Sequence, residues 1–165
     1  MTEFRYLYYG YTFQDNYRPY GTPSLRDSLI NYLGREDLLQ AEIRVAAGLA
    51  AKILKESPFR LRETFIAAAS YEMAGNERLS AIYFNFYMKQ VDAILSTGDG
   101  LDKKSAMGVI YIPDEYEIME VLGFRFGGRQ ELLSGGIDRL EVAENPYGIM
   151  ALYFDVSRML EMGFD

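Results

Sequence analysis

A change in residue periodicity near Gly98 constrains the fold of this chain more than any other feature of its sequence. Before that point, apolar residues recur at the three- and four-residue spacing of amphipathic helices. Pro58 and the Gly75-Asn76 pair interrupt the pattern, as residues that end or turn a helix do. After Gly98, apolar and polar residues alternate, which is typical of strands with one buried face. The sequence therefore predicts an α+β fold. The predicted helices cover residues 24–33, 36–56, 60–74 and 77–95.

The order of helix, proline turn, helix, glycine turn and helix resembles a tetratricopeptide array. Such arrays stack helix pairs of about 34 residues that pack through small side chains. In a pair beginning near Leu61, the small Ala67 and Ala68 and the aromatic Tyr71 fall at characteristic positions. About two and a half pairs are present, fewer than a free-standing solenoid needs. We therefore expect tetratricopeptide-like pairs that depend on the rest of the chain for burial.

The C-terminal part of the chain predicts a small antiparallel β-sheet. The Gly135-Gly136 pair is typical of a two-residue hairpin turn. A short helix is expected from Pro113 to Leu122, because the proline fits the first turn and Gly123 follows the end. We expect a single domain over residues 1–165, with a helical part at 1–97 and a mixed β part at 98–165. The predicted strands cover residues 106–112, 130–133, 137–142 and 149–156.

The composition excludes several classes of function. The sequence contains no His and no Cys, so Ser-His-Asp catalysis, Cys nucleophiles, thiolate or imidazole zinc sites and disulfides are ruled out. Seventeen basic and 24 acidic residues give a net charge of −7, which argues against binding nucleic acid. The longest apolar stretch, residues 45–51, is far shorter than the roughly 20 residues of a membrane span. We expect no cofactor and no bound metal.

Eight of the first twenty residues are aromatic. Phe4, Leu7, Tyr8 and Tyr11 follow helical spacing, and although Phe4, Tyr6 and Tyr8 also alternate as in a strand, we favour the helix. Two roles remain open for these rings. They can pack the N-terminal helix against the helix pairs, burying Leu7, Tyr8 and Tyr11. Alternatively, they can form a tyrosine surface that binds sugars or peptides, for which Tyr9 is the candidate.

Two acidic segments offer candidate sites. The loop at residues 96–100, with Asp99 and Asp102, suggests a calcium loop, but it supplies too few oxygen ligands. A helix end with a glycine turn explains the same residues, and we favour it. Asp114, Glu115 and two further glutamates, Glu117 and Glu120, could form paired carboxylates or a metal site. Asp114 and Glu115 also suit a helix N-terminus, where the helix dipole favours negative charge. Glu117 and Glu120 suit a solvated helix face, so we favour a structural role for all four.

Three segments resemble a bacterial family that is known only as a domain of unknown function. They are RYLYYGYTFQ at residues 5–14, STGDG at 96–100 and DEYEI at 114–118. The similarity extends over most of the chain and implies a tetratricopeptide-like middle part. Members of the family mostly begin with a secretion or lipoprotein signal, which this sequence lacks. The resemblance therefore implies an extracytoplasmic location, in the periplasm or on a surface lipoprotein, and it supplies no catalytic residues.

The leading functional hypothesis is non-catalytic binding of a protein or peptide. In the helix pair that begins near Leu61, the groove-facing positions are Arg62, Phe65, Glu72 and Met73, with Ala69 between them. Charged groups beside adaptable apolar groups suit a peptide segment. The alternative is that the sheet covers this face and makes Phe65 and Met73 core residues.

Two other classes of function stay open. The chain can be a carbohydrate-binding or carbohydrate-cleaving module that uses tyrosines and carboxylates. It can also be an inhibitor or immunity-type protein, because residues 83–165 hold fourteen acidic and seven basic groups and carry the whole net charge. Neither the partner nor the oligomeric state follows from the sequence.

Overall fold

The chain forms two compact units in a computed structural model that describes residues 2–33, 35 and 37–163. The first unit comprises Met1–Tyr20 with Val91–Asp165, and the second comprises Gly21–Gln90. The N-terminal residues therefore group with the sheet, although they were expected to belong to the helical part. Helices and strands are both present, so the predicted α+β class is confirmed.

The second unit is helical and follows the predicted proline and glycine punctuation. Its core joins three helices through Leu29, Ala46, Ala50, Ile53 and Ala67. The alanines let α3 and α4 approach closely, as small residues at a helix contact do. The helix predicted at residues 24–33 begins two residues later, at Arg26, and the helix predicted at residues 36–56 begins four residues later, at Gln40. The helices are α2 (Arg26–Leu33), α3 (Gln40–Glu56), α4 (Leu61–Met73) and α5 (Glu77–Leu95), whose last turns belong to the first unit. Their assignment as tetratricopeptide repeats stays a prediction.

The first unit is built around a four-stranded sheet with the order β1-β4-β3-β2. The pairs β2–β3 and β3–β4 are antiparallel, but β1 runs parallel to β4. The sheet is therefore mixed, and the prediction of an antiparallel sheet is wrong for β1. The reason is that helix α6 follows β1 directly and supplies the crossover that parallel strands require. The elements are α1 (Thr2–Gly10), β1 (Met107–Gly108), α6 (Ile112–Val121), β2 (Phe126–Leu133), β3 (Ile137–Val142), β4 (Ala151–Asp155) and α7 (Ser157–Glu161).

The predicted strand at residues 106–112 is mostly not a strand. Only Met107 and Gly108 pair with β4, and α6 begins at Ile112 with Pro113 in its first turn. Proline is well accommodated there, because the first helical residues have no intrahelical acceptor for an N–H group. The hairpin turn is confirmed, since Gly135 and Gly136 both adopt positive φ angles.

The N-terminal aromatic segment is helical, as favoured, but its packing differs from the prediction. Tyr8 and Tyr11 are buried, whereas Leu7 is 58% exposed, so the predicted burial of Leu7 is wrong. Consecutive positions on a helix lie about 100° apart, so burial of Tyr8 turns Leu7 away from the core. The described partners of these rings lie within the first unit: Tyr11 meets Tyr17 edge-on, and the Tyr8 hydroxyl donates to Asp114. Tyr8 therefore packs beside α6, and the neighbouring Tyr9 hydroxyl also reaches the carbonyl of Ala93 on α5 at 3.5 Å.

Candidate functional site

Four of the five predicted binding residues lie on one exposed side of α4. Arg62, Phe65, Glu72 and Met73 all have accessible side chains, and Phe65 and Met73 are 46% and 57% exposed. The 3.6-residue period separates them from the buried side of the helix. The alternative in which Phe65 and Met73 are core residues is therefore wrong. The buried residues of the opposite side are Leu61, Glu63, Thr64, Ala67, Ala68 and Ser70.

Helix α5 extends this exposed side with further apolar groups. The Phe65 ring lies 5.3 Å from the Tyr87 ring, which in turn lies 6.3 Å from the Phe84 ring. Phe84 and Met88 are both exposed and are one helical turn apart. We call the surface formed by Arg62, Phe65, Glu72, Met73, Phe84 and Met88 the α4–α5 face.

Contacts between the two helices fix their antiparallel order. The rings of Tyr71 and Tyr83 stack at 5.5 Å near the turn. At the other end, Gln90 Nε2 donates to Thr64 Oγ1 at 3.1 Å, and Thr64 Oγ1 donates to the carbonyl of Arg60. The α4–α5 face therefore carries Arg62 at one end and Glu72, next to the turn, at the other.

Tyr9, the fifth predicted residue, has a structural contact in the first unit. Its side chain is half-buried, and its hydroxyl donates to the carbonyl of Gly108 at 2.7 Å. Burial raises the pKa of Tyr9 to about 12, although a hydrogen bond with Thr97 acts in the other direction. The hydroxyl holds α1 beside β1, and Tyr9 belongs to the first unit, whereas the four α4 residues belong to the second.

A second candidate site is a pair of buried carboxyl groups in the first unit. Glu115 on α6 is 0% exposed and Asp138 on β3 is 5% exposed, and the two side chains are in hydrogen-bond contact. Gln130 Nε2 on β2 donates to Asp138 Oδ2 at 2.6 Å and to Glu115 Oε2 at 3.3 Å. The Tyr116 hydroxyl donates to Gln130 Oε1 at 2.6 Å, which fixes the orientation of the amide.

The environment of this pair keeps Glu115 protonated at neutral pH. Burial, and then the negative charge of Asp138, raise the pKa of Glu115 to about 9. Glu115 Oε1 is buried and accepts no hydrogen bond from the described residues. Retaining and inverting glycosidases hold their carboxyl groups roughly 5–9.5 Å apart around the substrate, a separation that contact between the groups precludes.

The rest of the predicted acidic cluster has separate environments. Asp114 is buried and accepts the Tyr8 hydroxyl at 3.3 Å. Burial, and then the negative charge of Asp114, raise the pKa of Tyr8. Glu117 is half-buried and Glu120 is exposed. Asp138 and Gln130 were not predicted from the sequence, because they lie on strands that are distant from Glu115 along the chain. One signal was present: Asp138 shares its strand face with Leu140 and Val142, where a polar residue is unusual.

The carboxylates of the loop at residues 96–102, for which a helix end was favoured over a calcium site, are used within the loop itself. Asp99 Oδ1 accepts the Ser105 hydroxyl at 2.6 Å and the Leu101 amide at 3.0 Å. Asp102 Oδ1 accepts the amides of Lys104 and Ser105. These hydrogen bonds lower the pKa of both side chains. Over residues 2–33, 35 and 37–163, no three acidic side chains converge in a way that suits a metal ion.

Comparison with known proteins identifies the family. A family model described as a domain of unknown function (DUF4919) matches residues 1–163, and the chain belongs to that family. No curated protein and no solved structure matches the chain. In the part of the chain that the structure describes, every helix is too short or too polar to cross a membrane.

Proposed function

We propose that this member of a family without an assigned activity is a non-catalytic module that binds a protein or peptide through the α4–α5 face. The observation that carries the proposal is the exposure of Phe65, Phe84 and Met88 beside one another on a two-helix surface. Large apolar groups gathered on a surface are typical of interaction sites. Aromatic and methionine side chains are also enriched in protein interfaces.

The energetics of this surface suit a modest, specific contact. Full burial of a Phe or Met side chain stabilises a complex by about 1.5–3 kcal/mol relative to exposure. Phe65, Phe84 and Met88 are already partly covered, so each has about half of that contribution left to give. Methionine adapts to different partners because its side chain is unbranched and polarisable. The face therefore suits short apolar segments of more than one shape.

The charges at the two ends of the face define the expected ligand. Arg62 lies at one end and Glu72 at the other, nearly three helical turns away. A complementary peptide has a short apolar core, an acidic residue that meets Arg62 and a basic residue that meets Glu72. Opposed charges of this kind set the orientation of a ligand more than its affinity.

Selection from a random peptide display library tests this proposal. Wild-type protein should enrich peptides with an apolar core flanked by an acidic and a basic residue, and fluorescence anisotropy should measure their binding. Phe84→Ala and Met88→Ala should each weaken that binding about tenfold, a loss of about 1.4 kcal/mol. Ile82→Ala is the matched control, because Ile82 is equally exposed on α5 but about 200° from Phe84 around the helix.

Two results would contradict binding through the α4–α5 face. If no peptide is enriched above an unrelated protein, or if the enriched peptides bind Phe84→Ala and Ile82→Ala equally well, the α4–α5 face is not the binding surface. Arg62→Glu adds an independent check, since it should weaken the binding of peptides that carry an acidic flanking residue without lowering the melting temperature of the protein.

We propose no nucleic-acid partner, since the net charge of −7 opposes binding to phosphates.

We also propose an extracytoplasmic location, in the periplasm or on a surface lipoprotein. Its support is the resemblance of the sequence to a mostly secreted bacterial family. Fractionation of native cells with an antibody against the protein tests the location: recovery with the periplasmic or membrane-surface fraction is expected, and recovery with the cytoplasm contradicts it.

A further inference from the structure

Strand β2 forms an exposed edge of the sheet. It is the last strand in the order β1-β4-β3-β2, and among the described residues only β3 pairs with it. Residues 126–132 of the strand are all exposed. The regular pairing with β3 runs from Gln130 to Leu133, and a register irregularity lies between Phe126 and Gln130. An exposed edge with unpaired backbone groups is a template for another strand.

Two opposite charges flank Gln130 at equal distances along this edge. Arg129 and Glu131 flank it and project to the same side of the sheet, where their side chains lie 3.8 Å apart. If two copies of β2 pair antiparallel with Gln130 at the centre, Arg129 of each copy stands opposite Glu131 of the other. Pairing centred on Arg129 or on Glu131 instead places two like charges opposite each other. Opposite charges across a strand pair stabilise it and like charges destabilise it.

The neighbouring positions also fit this register. Leu132 is 57% exposed on the other side of the strand, and the antiparallel register places it opposite Gly128 of the second copy. An added Cβ at Gly128 would meet no atom within 4 Å, so the space beside this glycine is open for a leucine side chain. The pairing would then cover an exposed apolar group on each copy.

We propose that β2 is a self-association edge, through which a second copy of this chain pairs antiparallel about Gln130. The resulting dimer has two-fold symmetry, since the same strand contributes to both sides. A contact limited to one strand edge is small, so the dimer is expected to be weak and to depend on concentration. Strand β2 lies in the first unit, and formation of the dimer does not depend on the α4–α5 face.

Charge reversal tests this proposal with a built-in rescue. Sedimentation velocity over a concentration series should show a reversible dimer for the wild type. Arg129→Glu places two glutamates opposite each other, and Glu131→Arg places two arginines opposite each other. Each variant alone should raise the dimer dissociation constant at least about tenfold. Mixed together, the two variants should form a heterodimer, because every cross-strand pair is again of opposite sign.

Arg125→Glu is the matched control, since Arg125 is exposed but precedes the strand, and it should dimerise like the wild type. Circular dichroism and the melting temperature of each variant report whether it is folded. A wild type that stays monomeric at the highest soluble concentration overturns the proposal. So does an Arg129→Glu variant that dimerises like the wild type, or a mixture of the two folded variants that forms no heterodimer.

Discussion

Replacement of Glu115 by Gln should stabilise the protein at neutral pH and flatten the pH dependence of its stability. The carboxyl group of Glu115 is fully buried against Asp138, with a pKa raised from 4.5 to about 9. Glutamine has the same shape and carries no charge. Its amide can donate to Asp138 and its carbonyl can accept the amide of Gln130, so the hydrogen bonds of the site are kept.

The sign of the effect follows from proton binding. Below pH 4.5, Glu115 is protonated in both the folded and the unfolded chain, and its contribution to stability is fully present. Between pH 4.5 and about 9, the unfolded chain has lost the proton that the folded chain keeps. The free energy of unfolding therefore falls as pH rises, by up to about 1.4 kcal/mol per pH unit, and this loss ends once the folded group ionises near pH 9.

The size of the effect at pH 7 follows from this slope. From the unfolded pKa of 4.5 to pH 7 the loss reaches at most about 3 kcal/mol. Glu115→Gln removes that loss, so its free energy of unfolding at pH 7 should exceed that of the wild type by about 1–3 kcal/mol. Near pH 4.5 the two proteins should be about equally stable.

Urea unfolding of both proteins at intervals from pH 4.5 to 8.5 measures these quantities. Glu120→Gln is the control, because Glu120 lies on the same helix with an exposed side chain, and it should reproduce the wild-type slope. A Glu115→Gln variant that is less stable than the wild type at pH 7, or that keeps the wild-type slope, would refute a protonated Glu115 in the folded protein.

Two further predictions concern the N-terminal rings and the aspartate loop. Tyr8→Ala should lower the free energy of unfolding by about 3–5 kcal/mol, because the ring is fully buried; a melting temperature that barely moves would contradict its role in the core. Titration calorimetry should detect no calcium binding, because the Asp99 and Asp102 oxygens accept hydrogen bonds within their own loop. A calcium signal that Asp99→Asn abolishes would overturn that interpretation.

The helical part of the chain was predictable because its determinants are local. Apolar spacing and the Pro58 and Gly75 interruptions specify α3, α4 and α5 to within a few residues at their starts. The same period places Arg62 and Phe65 on one side of α4, where both are exposed, and their role in binding stays a prediction. The extension of that face by Phe84 on α5 depends on how the two helices pack, which the period of one helix does not determine.

The sheet and its carboxyl pair depend on contacts between distant residues. Alternation identifies β3 and β4, but it does not reveal that β1 pairs parallel to β4, because strand direction depends on the intervening connection. Glu115 meets Asp138 only because α6 packs on one face of β3. An aspartate on the buried side of a strand was the available clue, but its partner lies 23 residues away in the sequence.

The proposed peptide-binding role of the α4–α5 face has a direct test in the methionine methyl groups. Met73 and Met88 lie on that face, whereas Met150 is exposed in the first unit. In NMR spectra of methyl-labelled protein titrated with a selected peptide, the Met73 and Met88 resonances should shift together and saturate, while Met150 stays in place. Shifts confined to Met150, or no shift at Met73 and Met88 at saturating peptide, would contradict the proposed binding surface.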